Sequence, residues 1–285
     1  MHANDPMHTR EHTHPSERAL ANELTAPVRI AALGDLEISA SGGSRRSHGA
    51  RARKPRELLM GLVAAGARGI AQHLLCEALW PEAEGDAAYR ALITTVYRLR
   101  RLLQCRDAVL FAGGRVALSA AHCWVDAWVF DQALPAAAVL ADSVPDAALA
   151  RALELYRGAL CGDAEAPLVF EARERLRRKF VRAVLAGGQR LLGAGAAAAA
   201  IELYEQALEV EGGCEDLHRA LILAQAGNGH TAAAASAYER CRAALRTRFG
   251  MVPSVATERA WRESCKPQAG PRQAGYAFAA YPTTP

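Results

Sequence analysis

Two rhythms of apolar and polar positions run along this chain. Between Val28 and Ser39, VRIAALGDLEIS has short alternating apolar runs around a Gly-Asp turn, which predicts two short strands. From Lys54 to Gly66, KPRELLMGLVAAG puts Leu58, Leu59, Leu62 and Val63 at helical spacing. Pro55 and Glu57 suit the start of that helix and Gly66 its end. AQHLLCEALW, Ala71 to Trp80, predicts a second short helix stopped by Pro81, and a third, capped by Asp86, runs to about Gln104. AVLFAGGRVALS, Ala108 to Ser119, has two strand-like runs around Gly113-Gly114, a hairpin signal. Strands, three helices and a hairpin between Val28 and Trp124 follow the order of a winged helix-turn-helix.

After Val125 the pattern becomes helical and repetitive. ALARALELYRGAL, AAAAIELYEQALEV and TAAAASAYERCRAAL look alike, and Tyr204 to Tyr238 spans 34 residues, the period of tetratricopeptide helix pairs. CEDLHRALILAQAGNGH supplies the partner helix, with Asn228-Gly229 as its turn. Such pairs bury their apolar faces by stacking. The fold class is therefore mainly α: a winged helix over residues 28–124, then an all-α tetratricopeptide-like repeat over 125–265 with a core of its own, expected to fold alone. Residues 1–27 and 266–285 read as disordered tails, the first carrying His2, His8, His12 and His14, the second rich in Pro, Gly and Ala.

Charge adds the first functional hint. The formal net charge is +4, but its distribution is uneven. Val28 to Trp124 holds 14 Lys/Arg against 8 Asp/Glu, while Val125 to Cys265 holds 16 against 18. A basic first half points to a polyanion. The seven cysteines are scattered, with no CxxC, which fits reduced thiols. No apolar run is long enough for a membrane span, and MHANDPMHTREHTHPSER offers no apolar stretch for a secretory signal, so a cytoplasmic protein is expected. GLVAAG, Gly61 to Gly66, has phosphate-loop glycine spacing but is followed by Ala67-Arg68 and lies within a helix, so nucleotide binding is not expected there. No HExxH, GxSxG, GxGxxG or paired Cys/His cluster occurs, so no catalytic residue, metal site or cofactor is expected. His73, His122, His218 and His230 stand apart as surface or satisfied histidines. Asp126 and Asp131 read as local caps or pairs, and Trp124 and Trp128 as interdomain core.

The candidate chemistry lies in TTVYRLRRLL, Thr94 to Leu103. On a helical wheel Ala88, Leu92, Val96, Leu99 and Leu103 share one face. Arg90, Thr94, Tyr97, Arg98 and Arg101 share the opposite face, with Arg100 at its border. No acidic residue lies between Asp86 and Gln104 to pair with these arginines. The helix is third in the order, where a recognition helix belongs, and Arg115 follows the Gly-Gly turn where a wing would touch phosphate. Arg can grip guanine O6/N7 or phosphate, and Thr and Tyr can add phosphate or thymine-methyl contacts.

LGDLEI, the basic KPRELL helix start, CEALWP and TTVYRLRRLL, followed by WVDAWVFDQAL, ELYRGAL, ELYEQAL and LRTRFGMVPSVATERAW, resemble the streptomycete antibiotic regulatory protein family. The likeness covers about Val28 to Trp261. It implies an OmpR-type winged helix followed by a bacterial transcriptional activator domain. It further implies a transcriptional activator that binds double-stranded DNA, docks as a homodimer on direct repeats and recruits RNA polymerase. Arg53 and Lys54 at the first helix start join the DNA-contacting set. Glu82 and Glu84, in the loop between the second and third helices, become candidate polymerase contacts. The loop SASGGSRRSHGARAR departs from the family in being longer and more basic. The competing expectation is a tetratricopeptide-like interaction scaffold whose winged helix has turned to protein docking; an outward arginine face is what such a scaffold would not need.

Overall fold

The computed structural model describes residues 25–40, 53–134 and 146–265. The two tails, most of the basic loop after Ser39, and their expected features lie outside the described residues. Strands β1 (Val28–Ala31) and β2 (Glu37–Ala40) pair antiparallel, with Val28 opposite Ala40 and Ile30 opposite Ile38. Alternation places Val28 and Ile30 in the core. Helices α1 (Arg53–Ala65), α2 (Gln72–Leu79) and α3 (Gly85–Leu102) follow, with a two-residue strand β3 (Ile70–Ala71) between the first two. The hairpin is β4 (Val109–Ala112) and β5 (Arg115–Leu118), and β5 also pairs antiparallel with β3. Gly113 and Gly114 turn it with φ of 57° and 69°, the pair of positive values that a two-residue hairpin favours. The winged-helix order is present, and its helix bounds lie within two residues of the sequence reading.

Two features differ from that reading. Asp86 does not cap α3; Glu84 is the residue before the helix and its carbonyl receives Ala88 N–H at 2.9 Å. A further strand, β6 (Cys123–Val125), pairs parallel with β1 and runs straight into α4 (Asp126–Ala133). The expected boundary after Trp124 thus falls inside a strand of the first half's own sheet.

The second half contains α5 (Asp146–Leu155), α6 (Phe170–Gly193), α7 (Ala197–Val210), α8 (Glu215–Gly227), α9 (Thr231–Phe249) and α10 (Val255–Ser264). Tyr204 on α7 and Tyr238 on α9, one repeat apart, are both buried. The close approach of α6 to α7 depends on glycine: a Cβ at Gly188 would lie 2.2 Å from the Tyr204 ring. Tyr156, just after α5, stacks on Phe180 of α6 at 4.1 Å and meets Phe130 of α4 at 5.4 Å. Its hydroxyl donates to Glu211, which also receives Arg177 Nε at 2.8 Å, so this buried carboxylate is paired. His218 of α8 is buried; its Nε2 meets the Gly212 carbonyl at 3.0 Å, and burial holds its pKa below the usual value.

The halves do not have separate cores. One continuous cluster of buried side chains runs from Ala26 through the winged helix to Tyr238. Leu168 packs where a Cβ on Gly61 of α1 would sit, and Trp128 Nε1 donates to the Val63 carbonyl at 2.9 Å. Asp126 completes the junction. Its carboxylate accepts from Ala32 N–H at 2.8 and 2.9 Å, Leu33 N–H at 3.1 Å and Ala127 N–H at 2.7 Å. Arg157 lies 3.5 Å away. Ala32 to Gly34 also pairs with Ala159 to Cys161 across a Leu33–Leu160 bridge. The expectation of a local cap or pair covers only the Ala127 bond of Asp126 and fails for Asp131. Asp126 reaches back to the first strand, and Asp131 binds Arg175 at 2.8 Å and Lys179, both on α6. Burial pushes the Asp126 carboxyl above its usual range, against the opposing pull of the three amides and Arg157.

Asp126→Ala should strand two buried strand-end amides and destabilise the chain by on the order of 3 kcal/mol, with Asp126→Asn costing less. Calorimetry should show both halves melting in one transition that moves down as a unit; a shift confined to one of two separate transitions would contradict the shared core.

Candidate nucleic-acid interface

Helix α3 is held by its inner face. Ala88, Leu92, Thr95, Val96 and Leu99 are buried, and Thr95 spends its hydroxyl on the Ala91 carbonyl at 2.7 Å. The outer face carries Arg90, Ile93, Thr94, Tyr97, Arg98 and Arg101, all exposed. The guanidinium groups of Arg90, Arg98 and Arg101 have no hydrogen-bond or ion-pair partner among the described residues. Thr94 donates its hydroxyl to the Arg90 carbonyl at 3.0 Å, leaving its methyl as the group it offers outward. The result is a cationic face with no acidic residue after Asp86 in the first turn, and with donors free to take an anion.

Four other expected cations are occupied within the fold. Arg100 donates through Nε and a terminal nitrogen to the Val109 carbonyl at 3.1 and 2.7 Å, fixing the end of α3 to the first strand of the wing. Arg115 folds back onto the Arg68 and Gly69 carbonyls at 3.1 and 2.8 Å. It thereby anchors β5 to the turn before β3, where Gly69 is required: a Cβ there would lie 2.2 Å from the Val116 carbonyl oxygen. Lys54 reaches the Leu79 carbonyl at 2.7 Å, closing the end of α2, and shares Glu57 with Arg53. Burial alone would raise the Glu57 carboxyl, but Lys54 and Arg53 outweigh it and hold it below the usual range. Arg53, Lys54, Arg100 and Arg115, all expected among the DNA-contacting residues, thus differ from Arg90, Arg98 and Arg101 in having partners within the fold. Arg100's border position on the helical wheel was the one sign of this in the sequence.

The wing tip sits beside the start of α2, where Gln72 N–H donates to the Gly114 carbonyl at 2.9 Å. Glu82 and Glu84 are exposed in the turn between α2 and α3, which is closed by Ala83 N–H on the Trp80 carbonyl at 3.1 Å. Sequence reasoning missed Ile93. Its apolar side chain gave no reason to place it outside, yet it is 40% exposed beside Tyr97, which is 61% exposed. No group of three or more potential metal ligands occurs among the described residues, and no helix among them is long and apolar enough to cross a membrane.

Comparison with known families adds to this geometry. Residues 125–263 match the bacterial transcriptional activator domain. The match spans α4 to α10 and begins at the last residue of β6. A solved structure of Mycobacterium tuberculosis EmbR in complex with a low-affinity phosphopeptide shares the fold, with a TM-score of 0.58 and 22% identity over 84% of this chain. The chain spans 65% of that structure's length. No curated protein matches significantly. The fold of this chain is thus an arrangement seen elsewhere.

Arg100→Ala should lower stability by about 0.5–1.5 kcal/mol in urea denaturation, because the Val109 carbonyl loses a charged partner. Arg98→Ala and Arg101→Ala should each stay within about 0.5 kcal/mol of wild type. Equal losses at all three positions would erase the distinction between structural and presented arginines.

Proposed function

We propose that this protein is a sequence-specific transcriptional regulator that binds double-stranded DNA through α3 and activates by recruiting RNA polymerase. The observation that carries this reading is the exposed face of α3, where Arg90, Arg98 and Arg101 are unpaired among the described residues. An α-helix fits the major groove, and guanidinium groups bind guanine edges or phosphates there. The likeness of residues 125–263 to an activator domain supports the second part of the proposal. The OmpR-type placement of the loop carrying Glu82 and Glu84 would set those carboxylates away from phosphate and toward a basic partner, such as a sigma factor. Docking as a homodimer on direct repeats is part of the same reading. So is a cytoplasmic location, which suits seven free thiols.

A mobility-shift titration of the full chain at two salt concentrations tests DNA binding. Arg98→Ala with Arg101→Ala should weaken binding while leaving the melting temperature unchanged. A guanine contact would show as a loss of about 1–3 kcal/mol at one operator position. A phosphate contact would weaken all sequences alike and flatten the salt slope by about 0.9 per phosphate. Wild-type affinity in the double variant would remove α3 as the reader.

Glu82→Ala with Glu84→Ala should keep operator affinity, or raise it slightly by removing negative charge beside DNA, and should reduce transcription in a reconstituted assay. Undiminished transcription would move the polymerase contact to the helical half.

A further inference from the structure

The outer face of α3 is apolar as well as cationic, and the arginines do not account for that. Ile93 and Tyr97 stand one helical turn apart, both exposed, on the flank of the row formed by Arg90 and Arg101. Thr94, on the other flank of that row, presents a methyl group because its hydroxyl is bonded to the Arg90 carbonyl. Phosphate oxygens attract the guanidinium groups but offer nothing to an isoleucine side chain. A merely solvated helix face would gain from acidic partners for its arginines, and none follows Asp86 in this helix. Within a major groove, the apolar group on a base edge is the thymine C5 methyl.

We propose that Ile93 is a specificity-determining residue that reads a thymine C5 methyl, with the aromatic edge of Tyr97 closing the same contact from the next turn. This rests on the DNA-binding reading of α3 and names the base chemistry that its apolar flank selects. The arginines hold the helix in the groove; Ile93 gains only where a methyl group is present to be buried against it. Cytosine carries hydrogen at the corresponding carbon and would leave the side chain against solvent.

The probe is a duplex selected by the full chain from a random DNA pool, then resynthesised with deoxyuridine in place of thymidine at one position at a time. This change removes the methyl group and leaves base pairing intact. For wild type, fluorescence anisotropy should show binding about threefold to fivefold weaker at one or more thymines, the scale of one lost methyl contact. Ile93→Ala should bind the thymine duplex more weakly by a similar factor and lose that sensitivity to uracil, while Arg98→Ala keeps it. Because Ile93 is exposed, its truncation leaves the core intact, which an unchanged melting temperature verifies. Equal uracil sensitivity in Ile93→Ala and wild type would overturn the assignment, as would a wild type indifferent to uracil at every position; both leave DNA binding by α3 standing. Failure of the full chain to enrich any duplex would overturn the DNA reading together with this inference.

Discussion

The carboxylate of Asp126 is the point on which the two halves of this molecule depend. It is buried, 1% exposed, and takes the amides of Ala32 and Leu33 at the place where β1 leaves the sheet. Those amides have passed beyond the strand pairing, so without an acceptor they would be buried and unsatisfied. The same carboxylate receives the Ala127 amide at the start of α4 and lies within reach of Arg157. One side chain therefore closes the end of the first sheet, begins the first helix of the second half and faces the segment after α5. Its burial penalises the charge, and the compensation is distributed over both halves of the chain. Neither half alone satisfies it.

The arginines divide along similar lines. Arg100 and Arg115 are drawn to backbone carbonyls that strand ends and turns leave open, and they lock the wing to α3 and to the β3 turn. Arg90, Arg98 and Arg101 have no carbonyl or carboxylate partner among the described residues. A guanidinium fork satisfies carbonyls and phosphates with the same donors. Position on the helix, and not residue type, thus decides which arginine stiffens the domain and which is left for a partner.

That division explains what the sequence disclosed and what it concealed. The leucines of α1 and α3, the Gly113-Gly114 turn and the 34-residue spacing of Tyr204 and Tyr238 are local signals, and the elements they predict are present. Asp126 was legible only as a possible cap because the strand-end amides it accepts lie more than ninety residues away in sequence; no periodicity encodes such a bond. The parallel pairing of β6 with β1 was hidden for the same reason, since a three-residue strand has too little pattern to announce itself. Arg90, Thr94, Tyr97, Arg98 and Arg101 were placed together by helical phase alone. Ile93 escaped because an isoleucine at helical spacing reads as core, and its exposure emerges only once the inner face is filled by Ala88, Leu92, Val96 and Leu99.

The welded junction makes the molecule a lever with a fixed angle. Trp128 on Val63, Leu168 against Gly61 and Asp126 on Ala32 tie together surfaces that a flexible linker would let swing independently. In the proposed DNA-bound state, these contacts would tie the setting of α3 to that of the helical half. On a duplex, where about ten base pairs complete a turn, a shift of half a turn in the docking site would carry the helical half to the opposite side of the double helix. Phase along the DNA would become direction in space, and the distance between a docking site and a promoter would specify which way the second half faces.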